Sequence, residues 1–300
     1  MNLIEAAKDL GFVAVGVTSP HRPLFFDKFR EWIKAGKHGE MAWLMRHMAL
    51  REDPARLIEG CRSVVSLAYP YSALRPATPD GFFAARYTEP HEQDYHRRVR
   101  KIAAQLAGLI ESEYPGAKTR ICIDSAPILE RSFAYSAGIG FIGKNNMLIL
   151  PGHGSYVFLT EILTTARIHR SGGAPMKSRC GDCQRCVVAC PSGALEAPFS
   201  IDASRCLSYL SIEMKKMVDK ETGRNMGRCF FGCDVCQEVC PFNPKEIEND
   251  LCLPSLKEMY EMDKPFFASV FGKTAFSRAG LEKIRGNIAA VTGERDDGIL

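Results

Sequence analysis

Cys180-Gly-Asp-Cys183-Gln-Arg-Cys186-Val-Val-Ala-Cys190-Pro191 is the stretch on which the fold turns. Its C-x2-C-x2-C-x3-C-P spacing wraps a 4Fe–4S cluster with three thiolates and lends the fourth, before proline, to a second cluster. A shorter run, Cys233-Asp-Val-Cys236-Gln-Glu-Val-Cys240-Pro241, follows it, and Cys206 lies between the two. Geometry apportions the ligands. Cys180, Cys183 and Cys186 clasp one cube and Cys240 crosses to it, while Cys233, Cys236 and Cys206 clasp the other and Cys190 crosses. Cys206 stands in for the third member that the second run lacks. Paired C-x2-C motifs also bind zinc, but zinc needs neither the proline after the last cysteine nor three cysteines at successive x2 spacing. Of the twelve cysteines, Cys61, Cys122, Cys229 and Cys252 have no spacing partners and read as ordinary half-buried thiols, Cys229 being a decoy for Cys233. Two such cubes move electrons singly, which constrains function more than any other feature of the chain.

The bulk properties agree with a soluble redox protein. At 300 residues, 46% hydrophobic and 25% charged, the chain is long and apolar enough to bury one large or two modest cores. Its start, Met1-Asn-Leu-Ile-Glu-Ala-Ala-Lys-Asp, lacks a basic region followed by an apolar one, so no signal peptide is read. No stretch approaches the length of a membrane span. Thiolate ligands without an export signal point to the cytoplasm. A net charge of +4 permits a nucleic-acid partner without requiring one.

Periodicity outlines an α+β protein in three parts. Residues 1–170 alternate helix and strand: a helix at 4–10, a strand at 12–17, helices at 24–35 and 39–48, and a buried strand at 63–69. A Pro/Gly-rich loop follows at 72–81, then a helix at 91–113 with Arg97, Arg98, Arg100 and Lys101 on its basic face. A strand at 119–123, a helix at 127–137 with Pro127 in its first turn, and strands at 147–150 and 156–163 complete this part. Residues 171–175 form the expected linker, 176–245 a ferredoxin-like two-cluster domain, and 246–300 a short helical tail, clearest at 281–291. Gly138-Ile-Gly140-Phe-Ile-Gly143-Lys144-Asn145 mimics two nucleotide motifs. A dinucleotide fingerprint follows a strand and opens a helix, whereas this run does the reverse, and Asn145 occupies the place where a P-loop needs Ser or Thr. The remaining reading is a tight turn that lets the backbone approach something flat and bulky.

Around this turn the chain resembles a known family. Ile123-Asp124-Ser-Ala-Pro127-Ile-Leu-Glu130-Arg131, Ala137-Gly-Ile-Gly-Phe-Ile-Gly-Lys-Asn145, Gly154-Ser-Tyr-Val-Phe-Leu159, Cys206-Leu-Ser-Tyr-Leu-Ser-Ile-Glu213 and Gly232-Cys-Asp-Val-Cys-Gln-Glu-Val-Cys-Pro-Phe-Asn243 are similar to the hallmarks of epoxyqueuosine reductases. Arg51-Glu-Asp-Pro54, Ala85-Arg-Tyr87 and Asp94-Tyr-His96 fit more loosely, and the resemblance covers roughly residues 40 to 290. Phe141 replaces the family's usual tryptophan and Ser125 its threonine after the aspartate.

The resemblance implies an N-terminal α/β cobalamin-binding catalytic domain, nitroreductase- or dehalogenase-like in fold, over 1–170. It implies cobalamin (B12) beside two 4Fe–4S clusters, and reduction of epoxyqueuosine to queuosine at a tRNA wobble position. Asp94-Tyr-His96 is not the D-x-H-x-x-G motif that ligates cobalt, since Val99 replaces the glycine, so His96 is expected to line the pocket or support the structure. Opening an epoxide needs a positioned general acid, and Asp124 matches the family's. Desolvation beside an apolar strand and a corrin is expected to raise its pKa; a helix N-cap before Pro127 is its alternative. Arg51, Asp124, Leu148, Leu150, Leu159, Ser208, Cys233 and Asp234 match cofactor-contacting positions, and Lys215 and Lys216 match tRNA contacts, with a solvated basic turn as their alternative. The tail cations Lys273, Arg278, Lys283 and Arg285 are expected to help, because many members carry a C-terminal extension and this sequence stops at Leu300. The implied enzyme is a cytoplasmic monomer served by an external low-potential electron donor. Two other readings stay open: a reductase of a small molecule built on the same machinery, and a two-cluster electron carrier.

Overall fold

The computed structural model describes residues 2–169 and 173–293, so residues 171 and 172 of the expected linker lie outside the described residues. The chain divides into two units, Met1–Gly36, Ala42–Pro70 and His96–Cys183 in the first, and Lys37–Met41, Tyr71–Tyr95 and Gln184–Leu300 in the second.

The first unit is built on a four-stranded antiparallel sheet. Its strands are β1 (Ala14–Thr18), β2 (Ser63–Pro70), β3 (Thr119–Cys122) and, after a small hairpin of β4 (Phe141–Ile142) and β5 (Leu148–Ile149), β6 (Val157–Thr164). The spatial order is β1-β2-β6-β3. Both central strands are buried along nearly their whole length, which is why they read as continuous apolar runs and not as alternating ones. Register places Ser66 and Cys122 on either side of Glu161, at the centre of the sheet.

The helices described with this unit are α1 (Leu3–Asp9), α2 (Phe26–Lys34), α3 (Met48–Glu52), α4 (Tyr95–Glu113) and α5 (Glu130–Ser136), of which α1 packs on β1 and α5 on β1, β2 and β6. Helix α1 starts on the Asn2 side chain, which accepts from the amides of Ile4 and Glu5. Helix α4 buries Val99, Ala103, Leu106, Ala107 and Ile110, one stripe at helical spacing, and turns its basic face away from it. The helix expected at 39–48 is replaced by a short turn at Ala42–Leu44 before α3. Helix α5 begins at Glu130, not at Pro127, so Asp124 is not its cap.

The second unit joins the cluster segment from Gln184 onward, the tail and residues 71–95, while Cys180 and Cys183 fall in the first, which departs from the expected three-part division. Phe83–Ala84 pairs in parallel with Cys229–Phe231, and Arg75–Pro76 with Asn249–Asp250. One apolar core then holds Phe230, Phe231, Leu256, Phe271, Phe276 and Ile284 together. These ties recruit the Pro/Gly-rich stretch and leave the tail no separate core. The helices here are α6 (Arg185–Ala189), α7 (Leu207–Ile212), α8 (Lys220–Met226), α9 (Val235–Glu238), α10 (Leu256–Glu261), α11 (Lys264–Phe271) and α12 (Gly280–Thr292). Among the described residues no helix is long and apolar enough to cross a membrane.

Candidate active site and cluster ligands

In the first unit, β3 delivers Asp124 into a sharp turn. Its φ of 44° lies in the left-handed region, which a non-glycine residue occupies only when its surroundings hold it there. Two contacts do so. The Asp124 amide donates to Glu130 Oε1 in the first turn of α5, and Asp124 Oδ2 lies 2.8 Å from His96 Nε2 in the first turn of α4. The two side chains stay partly open, 40% exposed for Asp124 and 21% for His96. A carboxyl that is reachable from solvent and fixed in direction by an imidazole can present a proton to a bound substrate. His96, expected to line the pocket or support it, is thus the direct partner of the acid candidate.

Behind this turn lies a second acidic layer that the motif reading missed. Glu161 is 0% exposed; its Oε1 accepts from the Ser66 hydroxyl at 2.8 Å, and its Oε2 has no hydrogen-bond partner. Burial pushes its carboxyl up to about 8, against the opposing pull of the Ser66 hydrogen bond. The Glu130 carboxyl is also raised well above its ordinary range, by burial first and then by Glu161 and Asp124. Burial, with Glu161 adding to it, drives the Cys122 thiol up to about 12, so it stays neutral. A signal was present in the sequence: Glu161 is the lone charge in the apolar run Val157–Thr164.

The other first-unit candidates form a mostly buried set. Arg51 is buried with an Nε that has no hydrogen-bond partner, and its guanidinium sits 5.8 Å from the centre of the Phe29 ring. Leu148 and Leu150 are buried and Leu159 half-buried, all three packed in one apolar cluster with Ala134 and Ala137. The glycine run turns out to serve this packing. Gly138, at φ 73°, ends α5, and a Cβ on Gly140 would lie 2.7 Å from the Ile149 carbonyl. What the backbone approaches is therefore its own hairpin. Lys144 donates to the Gly181 carbonyl at 2.6 Å, pinning the turn in which the Cys183 amide bonds the Cys180 carbonyl.

In the second unit, Cys190 ends α6, Cys206 opens α7, and Cys233 and Cys236 flank the start of α9. Burial raises the thiols of Cys206 and Cys233, the latter to about 12, and their neighbours raise them further: Cys190 acts on Cys206, and Cys206 and Cys190 act on Cys233. Cys236 is raised well above its ordinary range, by burial and then by Cys233, Cys206 and Cys186. Such a crowd of thiols cannot ionise together without a cation among them, and iron supplies one. Cys240 is buried. The Cys229 thiol donates instead to the carbonyls of Phe231 and Gly232.

Asp234, beside Cys233, is buried against Arg86. The Arg86 amide donates to its Oδ2 at 2.7 Å, and the guanidinium, 1% exposed, also bonds Glu238 and the Ala73 carbonyl. Arg86 was visible in the sequence only as part of a loose match; here it is the anchor of residues 71–95. Ser208 is half-buried in α7, and Lys215 and Lys216 are exposed beyond it. Two of the tail cations are structural: the Lys283 ammonium donates to the Lys216 carbonyl, and Arg285 bonds the carbonyls of Tyr260 and Met262.

Comparison with known proteins agrees with this arrangement. A family model for a 4Fe-4S double cluster binding domain matches residues 179–243, and one for epoxyqueuosine reductase QueG, DUF1730, matches residues 51–125. The chain is 33% identical to the epoxyqueuosine reductase of Leadbetterella byssophila, over 95% of each protein. Its structure is similar to a crystal structure of epoxyqueuosine reductase with an epoxyqueuosine-modified tRNA-Tyr stem loop, at TM-score 0.83 and 27% identity, covering 99% of this chain and 81% of that one. It is also similar to the Bacillus subtilis epoxyqueuosine reductase with its catalytic aspartate loop swung out of the active site, at TM-score 0.81 and 28% identity, covering 97% and 80% of the two chains.

Proposed function

The chain belongs to the epoxyqueuosine reductase family, and from that premise we propose that it reduces epoxyqueuosine at the wobble position of tRNA to queuosine. The observation that carries the reading is Asp124, set in a left-handed turn with its carboxyl on His96, in a stretch that resembles the one bearing the family's acid. Converting an epoxide to an alkene breaks two C–O bonds, forms one C=C π bond, consumes two electrons and two protons, and releases water. The oxygen leaves poorly unless it is protonated, so an acid within hydrogen-bond reach lowers the barrier. Asp124 holds that proton, and His96 fixes the direction in which it is offered.

The residues present fit the cofactors the family implies. Cys190, Cys206, Cys233 and Cys236 are the thiolates for the second cluster, and the matched 179–243 segment contains all eight candidate ligands. In the first unit, the unpartnered buried Nε of Arg51 suits a polar amide at the edge of a corrin, and Leu148, Leu150 and Leu159 offer apolar packing. When bound, the clusters supply single electrons at low potential and cobalamin supplies a reduced metal that no amino acid provides. Lys215 and Lys216, exposed on the turn after α7, are the phosphate contacts we assign. The L. byssophila relative, matched over 95% of its own length, is named an epoxyqueuosine reductase, which favours the tRNA reading over a small-molecule substrate.

The test is mass spectrometry of epoxyqueuosine-bearing tRNA after anaerobic incubation with the protein, cobalamin and a strong reductant. The modified nucleoside is expected to lose one oxygen. An epoxide returned intact by protein that carries its full iron and corrin would end the proposal.

A further inference from the structure

We propose that His91, Asp250 and Cys252 form a divalent-metal site of the zinc class within the second unit, and that the ion staples residues 71–95 to the segment after the cluster cysteines. One ligand atom from each of the three side chains lies within 4.8 Å of the other two. Cys252 stands at no metal-ligand spacing from another cysteine in the sequence, so its company exists only in the fold.

Each donor stands on backbone that is held. Asp250 ends the strand that pairs in parallel with Arg75–Pro76, and its carbonyl accepts from the Ala77 amide at 2.8 Å. The Leu253 amide returns to the Ala77 carbonyl at 3.1 Å, so the residues between are fixed at both ends. Among them the Cys252 amide donates to the Asp250 carbonyl at 2.9 Å, an i→i+2 bond that tightens the chain between the two ligands. Cys252 also packs against the apolar core that holds Phe230 and Leu256. His91 comes from a separate turn, in which the Glu92 amide donates to the Glu89 carbonyl at 2.8 Å. The Glu89 carboxylate takes the Ser72 amide at 3.1 Å, and the Asp94 amide donates to the Lys273 carbonyl at 2.7 Å. The turn is therefore tied down before and after the histidine.

The donor set decides the ion. Calcium and magnesium take oxygen ligands, whereas one imidazole nitrogen, one carboxylate oxygen and one sulfur suit zinc, which binds all three at about 2.0–2.3 Å. Ligands at those lengths in a tetrahedron stand about 3.3–3.8 Å apart, so the donors need to draw in by about an ångström, within the reach of side-chain rotation. His91 and Asp250 are exposed and Cys252 half-buried, which leaves the fourth position to water and gives the ion a way in. The cysteine binds as thiolate and releases its proton to solvent. An ion held by the folded unit alone stabilises that unit.

The experiment adds zinc chloride to anaerobically prepared protein that carries both clusters and cobalamin, then removes loosely held metal on a desalting column. Zinc and iron are counted by mass spectrometry, zinc-edge X-ray absorption reports the ion's neighbours, and thermal unfolding is followed against zinc concentration. Wild type should hold one zinc per chain with full iron, with one sulfur neighbour at about 2.3 Å and nitrogen or oxygen at about 2.0 Å. Its Tm should rise with zinc. C252A and H91A, the latter altering an exposed side chain, should each lose the zinc and the Tm response at unchanged iron content. Zinc that stays in either variant, zinc surrounded by three or four sulfurs as at displaced cluster cysteines, or wild type that binds none overturns the proposal. No readout involves turnover, so the result stands apart from the epoxyqueuosine assay.

Discussion

The thiols of the second unit and the carboxyls of the first are both crowds of like acids, but they are relieved in opposite ways. Beyond burial, Cys190 raises the thiols of Cys206 and Cys233, and Cys206 and Cys233 raise that of Cys236, a conflict that bound metal removes when all are thiolates. Asp124, Glu130 and Glu161 are also crowded, and what meets them is an imidazole, a backbone amide and the Ser66 hydroxyl. We assign the electrons to the first arrangement and the protons to the second. A reaction that consumes two of each needs both.

The contrast can be broken at its carboxyl end first. Asp124→Asn keeps the size of the side chain and removes its acid, so kcat should fall by about 10²–10⁴-fold with iron and corrin content unchanged. Wild-type turnover in that variant would show that the proton comes from elsewhere. At the thiol end, Cys206→Ser should leave about half the iron, because one cube loses a ligand and the other does not. Iron analysis showing a full complement would mean that the ligands are apportioned differently.

A third site sharpens the comparison, since there a buried carboxylate is relieved by a cation. Arg86→Met strands Asp234 and Glu238, and should cost about 3–5 kcal/mol in denaturant unfolding. A loss under about 1 kcal/mol would show that both carboxylates find water instead. The smallest effect belongs to charges that were never buried. Lys215→Ala with Lys216→Ala should lower the salt dependence of tRNA binding by about two phosphate contacts and leave kcat alone. An unchanged slope would mean that the pair is a solvated turn.

The two ends also differ in how readily they could be read. The thiols were legible because a cube needs ligands a few ångströms apart, a need that short chain spacings meet locally, and the C-x2-C-x2-C run records it. Asp124 was legible only through the motif around it. Its alternative role as a helix cap fell once α5 was seen to begin at Glu130. Glu161 gave one local sign, a charge in an apolar strand, but its meaning depends on Ser66 and Cys122, which are distant in sequence and brought beside it by the register of β2 and β3. Arg86 was opaque for the same reason, since its partners Asp234 and Glu238 lie about 150 positions away.

The amino-acid order alone supplied the candidate cluster ligands and the candidate acid, and it determined the strands β2 and β6 and the amphipathic α4, because ligand spacing and side-chain periodicity are local properties of a chain. Tertiary structure decided the rest. It drew residues 71–95 into the unit that holds Cys186 and the five candidate cluster cysteines after it, packed Gly140 against the Ile149 carbonyl, and set Glu130 against the Asp124 amide. Strand register and buried charge pairing join residues that no local pattern connects, and only a folded chain brings them within reach of one another.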